Sequence, residues 1–173
     1  IQSVYAHGLG SVESDIQFFN DNFYKVKVQT NPDVLHGDES EIGFEISTIN
    51  HDKEIIVSNI EYFVNVKNPE TGDSILSFNA YSPNELFNAK IIPKNQIDFS
   101  GDKTSDDFWI GTAQKPVLIE APLFMQGGLV QVDVKILSIE SESLPRPPVF
   151  ETLLTIGEYI PFEINTDKKY DFM

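Results

Sequence analysis

Three histidines, His7, His36 and His51, are the only imidazoles in 173 residues, and no cysteine accompanies them. A transition metal held by this chain would therefore rest on histidine nitrogen, an amine or carboxylate oxygen. His7 stands directly behind Val4-Tyr5-Ala6. Small residues at the positions of Val4 and Ala6 suit signal-peptidase cleavage before His7, so residues 1–6 are expected to be the tail of a signal peptide. An N-terminal strand that happens to contain an alanine is the plainer alternative. Cleavage would free the His7 α-amine, whose pKa near ~8 lets a metal displace its proton at neutral pH. That amine and the His7 Nδ1 together chelate copper(II), which prefers nitrogen ligands in a tetragonal plane, and one further imidazole would complete a histidine brace.

His36 and His51 flank a strand expected around residues 42–46. A rise of about 3.3 Å per residue holds the two flanking turns roughly 25 Å apart. At most one of them can join His7 on a single ion. His36 is the better candidate, because His36-Gly37-Asp38-Glu39 adds carboxylates and a flexible glycine. For each histidine the commoner role is an exposed turn residue. The His-x-His pair used by copper monooxygenase subunits of the ammonia and methane type is missing. Trp109 is the sole tryptophan, which offers no flat aromatic platform for a polysaccharide.

Asp98, Asp102, Asp106 and Asp107 crowd IDFSGDKTSDD. Calcium takes six to eight oxygen ligands, and Asp102 with Asp106 could contribute to such a set, although the spacing fails the EF-hand pattern and a hydrated loop is the ordinary meaning. No His-Glu-x-x-His, Gly-x-Ser-x-Gly or phosphate-cradling loop occurs. Gly8-Leu9-Gly10-Ser11 lacks the third glycine and the βα setting of a dinucleotide motif.

Composition narrows the partners. Twelve Lys and Arg against 27 Asp and Glu leave a formal charge of -15, so no basic stripe exists for nucleic acid. Hydrophobic residues at 40% are enough for a core in one domain of this length. No apolar run approaches the roughly 20 residues of a membrane span. The nearest, residues 121–130, is interrupted by Gly127-Gly128.

The elements that would position these groups read as strands. In FYKVKVQT, Tyr24, Val26 and Val28 alternate with Lys25, Lys27 and Gln29. Ile42, Phe44 and Ile46, then Tyr62, Val64 and Val66, then Val130, Val132, Val134 and Ile136 repeat the pattern. Further strands are expected at residues 74–81, 90–93, 116–121 and 159–164. Turns rich in Asn, Asp, Gly and Pro separate them, and residues 83–88 are read as one helical turn. Each strand has a single apolar face that must be buried against a second sheet. The expectation is an all-β, antiparallel β-sandwich of immunoglobulin-like architecture, one domain over residues 7–173 that is cut short at its C-terminal end. LPRPPVF, residues 144–150, is expected to be a stiff extended connection, since proline donates no ladder hydrogen bond.

AHGLG after a signal-like tail, the IEYFVNV strand, and PVLIEAPLFMQGGLVQVDVKIL before a late PFEI resemble uncharacterised exported β-sandwich proteins of ammonia-oxidising archaea. Residues 118–124 (LIEAPLF) and Gly127-Gly128-Leu129 occupy the places of a recurrent segment in that family. Ala121 stands where the family more often has glycine, and Val130 where it often has tyrosine. The resemblance implies export and fold, with a further β-rich region and often a membrane anchor beyond this stretch. It carries no established activity. The first expectation is therefore a non-enzymatic extracytoplasmic domain of the cell envelope acting through a protein partner. A copper-handling domain built on His7 comes second, and a secreted oxidase or hydrolase last.

Overall fold

The computed structural model describes residues 9–32, 34–36 and 41–160, with residues 34–36 and 158–160 described as backbone. In chain order the strands are β1 (Ser11–Glu13), β2 (Gln17–Phe19), β3 (Asn22–Asn31), β4 (Val34–His36), β5 (Ile42–Asn50), β6 (Ile55–Val57), β7 (Ile60–Lys67) and β8 (Ser74–Ser82). There follow β9 (Phe87–Pro93), β10 (Asp98–Ser100), β11 (Asp102–Lys103), β12 (Trp109–Ile110), β13 (Val117–Ala121), β14 (Gly128–Ile139), β15 (Glu142–Ser143) and β16 (Val149–Ile160). No helix occurs among the described residues.

Two sheets face each other. The first has the order β1-β3-β5-β9-β13-β10, with β2 beside β3 and β6 beside β5. The second runs β11-β12-β8-β7-β14-β16-β4, with β15 beside β14. Period-two alternation is the cause: β3 and β7 bury every second side chain, and those side chains meet between the layers. Val26, Val28, Ile42, Phe44, Ile46, Tyr62, Val64, Val132, Val134 and Ile136 all lie within this one core. A polar contact spans it, the Tyr62 hydroxyl of β7 lying 2.8 Å from Thr48 Oγ1 of β5.

Most pairings are antiparallel, as alternation with short turns predicts. Three are parallel: β12 with β8, β13 with β9, and β4 with β16. Parallel neighbours need a crossover between them. After β9 and β10 the chain passes through Gly101 into the second sheet as β11 and β12, then returns as β13 beside β9. Gly111 closes the return, its amide donating to Tyr81 O of the second sheet and its carbonyl accepting from Asn88 N of the first.

Two local expectations are corrected. Residues 83–88 do not form a helical turn. Phe87 and Asn88 open β9, because the fully buried Phe87 ring needs its backbone paired opposite Ile46. His36 lies in strand β4 and not in a turn: beyond the β3 end at Asn31 the chain changes sheet and runs along the edge of β16. Of the connection expected over residues 144–150, residues 144–148 are strand-free, tied at each end by Leu144 N to Leu137 O and Ile136 N to Pro148 O, while Val149 and Phe150 already belong to β16, opposite Lys135 and Val134.

Candidate interaction face on the first sheet

The neighbouring strands β2, β3, β5 and β6 carry apolar side chains on the surface facing away from the core. Tyr24 and Val26 of β3 point inward, so Phe23 and Lys25 point outward. Phe18 lies opposite Phe23, their ring centroids 4.9 Å apart, and the next register position sets Lys25, Ile49 and Ile56 side by side. Phe18 is 61% exposed, Phe23 43% and Ile56 40%. Ile16, just before β2, and Ile55, at the start of β6, are also exposed.

Local chemistry explains the placement. Asn20 and Asp21 hold positive φ values of 51° and 63°, the geometry of a two-residue hairpin turn that suits Asn and Asp. This turn sets QFF against NFY, so one aromatic of each arm goes inward and one outward. Phe19 goes inward and stacks on Tyr24 at 4.5 Å. Successive strand residues face opposite ways, so Phe18-Phe19 and Ile55-Ile56 each had to leave one large apolar side chain on an outer surface. That doublet was the legible signal for this face, and the alternation reading of the sequence passes over it.

Charge sits around these residues. Asp15, Asp21, Asp52 and Glu54 are exposed in the adjoining turns, with Lys53 among them. Asp52 Oδ2 accepts from Phe23 N at 2.9 Å, while Lys25 is bound by Glu13 at 2.8 Å. His51 is exposed beside this face, its backbone amide donating to Phe23 O. Burial raises the Tyr24 phenol above its ordinary value, with the charges of Glu140 and Asp52 adding to the shift.

The residues singled out for metal chemistry do not come together among the described ones. His7 lies outside the described residues. His36 is placed as backbone in β4, opposite Ile160. His51 follows β5 directly after Asn50, which pairs with Tyr24 of β3. Asp102, in β11, has its carboxylate on Lys115 Nζ at 3.0 Å. Asp106 lies at the tip of the β11–β12 hairpin, its amide donating to Thr104 Oγ1. Asp98 belongs to the other sheet, in β10. Among the described residues no three His, Asp or Glu side chains gather around one cation position. Trp109 is packed, with Phe99 stacked on its ring at 5.3 Å and Lys103 Nζ 4.5 Å from its centroid.

Among the open depressions, two have similar volume. One of about 400 Å³ is lined by Ser58, Asn84, Glu85, Leu86, Asn88, Ala113 and Gln114. The other, about 390 Å³, lies between Phe19, Asn20, Leu144, Pro145 and Arg146. Neither lining contains a histidine to activate a nucleophile. Comparison with protein-family models, curated proteins and solved structures gives no match for this chain.

Proposed function

We propose that this chain is a non-enzymatic β-sandwich module of the cell envelope, immunoglobulin-like in architecture, that works by holding a protein partner. The observation that carries the reading is the outward apolar set Phe18, Phe23, Ile49 and Ile56 on four adjacent strands. Contiguous apolar surface of this kind is the physical mark of a contact site, because water gains when a partner covers it. The signal-like residues 1–6 and the resemblance to exported archaeal proteins support an extracytoplasmic setting. The acidic balance favours a protein partner over nucleic acid. Cross-linking in the native envelope provides the test. Wild-type protein is expected to capture a defined partner and the Phe18→Ser/Phe23→Ser variant to lose it while melting normally. Equal capture by both would remove this face from the reading.

A copper-handling role for His7 and His36 is the second reading. Its support is that Leu9, two residues from His7, and β4, which ends at His36, lie along the same edge of β16. Copper(II) titrated into protein beginning at His7 is expected to bind tightly, and the His7→Ala form weakly. Equal weak binding by both ends that reading.

A further inference from the structure

The charge around the exposed face on β2, β3, β5 and β6 says what kind of partner fits it. We infer that its occupant is a basic, apolar polypeptide segment, one that sets Lys or Arg between aliphatic or aromatic side chains. The inference rests on the contact-face reading and deepens it.

Three turns border the face, and each contributes carboxylate. Asp15 precedes Ile16, Asp21 lies in the turn joining Phe18 to Phe23, and Asp52 and Glu54 occupy the turn leading into Ile55. All four are exposed, and none has an ion-pair partner among the described residues. The nearby cations offset them only in part. Lys25 and Lys27 share one carboxylate, Glu13, which pairs with Lys25 and lies opposite Lys27, and Lys53 sits among the turn carboxylates, so five carboxylates stand against three lysines.

Such a border selects by sign. Covering Phe18 and Phe23 brings the partner within a Debye length of these carboxylates, where like charge is repelled and opposite charge attracted. A second copy of this chain, carrying the same charge of -15, would set carboxylates against carboxylates. An anionic lipid surface is disfavoured for the same reason. A basic segment meets no such barrier, and its apolar residues cover the rings.

The test uses two synthetic peptides that alternate isoleucine and phenylalanine with a charged residue, lysine in one and glutamate in its twin. Binding to the intact chain is followed through backbone amide shifts, which also report folding. The lysine peptide is expected to bind at least about tenfold more tightly than its twin and to shift residues 16–23 and 49–56. Replacing Asp15, Asp21 and Asp52 by Asn and Glu54 by Gln should remove that preference. The control Glu70→Gln/Asp73→Asn, in the distant β7–β8 turn, should keep it. If both peptides bind alike and Phe18→Ser/Phe23→Ser abolishes both, the basic occupant is wrong and the contact face stands. If neither peptide moves residues 16–23 and 49–56, the face itself is wrong and the occupant falls with it.

Discussion

Tyr62 shows what one side chain contributes to the union of the two layers. It is 1% exposed, and among the described residues its hydroxyl meets Thr48 alone across the core. Tyr62→Phe removes one partner and leaves the Thr48 hydroxyl buried without its bond, a loss of about 1–3 kcal/mol that denaturant titration will read. Removing both hydroxyls, in Tyr62→Phe/Thr48→Val, should recover part of that loss, because no orphan remains. Burial also raises the Tyr62 phenol well above its ordinary value, more than the Thr48 bond lowers it. An unfolded tyrosine ionises near pH ~10 while the folded one stays protonated. The stability from Tyr62, and from Tyr24, which is raised in the same direction, is therefore complete below about pH 10 and is lost as pH climbs further. Alkaline melts of wild-type protein and Tyr62→Phe should converge in that range, and parallel curves throughout would count against the buried phenol.

At the level of elements, Gly111 marks where the chain has no room for anything larger. A methyl group there would strike the Asn88 carbonyl oxygen and approach Phe87 ring carbons at 2.7 and 2.9 Å. Phe87 is fully buried and cannot step aside, so Gly111→Ala is expected to cost about 1–3 kcal/mol by overpacking. Gly43, where an added Cβ would meet only ordinary contacts with Asn31 at 3.4 and 3.9 Å, offers the contrasting site for the same measurement. Much of the sheet pattern was legible because single-faced strands advertise themselves: the alternation in β3, β5, β7 and β14 named the residues that are buried. Short strands were not legible. The three residues of β4 and two each of β11 and β12 carry too little alternation to rise above turn chemistry, and long-range pairing alone makes them strands. The interaction face stayed hidden for a related reason, since whether Phe18 or Phe19 faces water depends on the turn at Asn20-Asp21. The aspartates of IDFSGDKTSDD likewise read as one cluster in sequence, yet the crossover through Gly101 divides them between two sheets.

For the molecule as a whole, a charge of -15 on 173 residues sets a long-range repulsion against compactness. Added salt screens it, so raising NaCl from about 10 mM to about 200 mM should raise the melting temperature. Relief of about 1 kcal/mol corresponds to about 2–4 °C for a chain of this size. A melting temperature unchanged by salt would mean that the local ion pairs, such as Lys67 with Asp133 at 2.9 Å, already balance the field. The passages between layers have a mechanical consequence. A tug applied at Phe18 or Phe23 is not borne by the outer pleat alone. The backbone leads the load from β3 into β4, and the short β4–β16 ladder, which pairs Val34 with Gly157 and His36 with Ile160, passes part of it into the second layer.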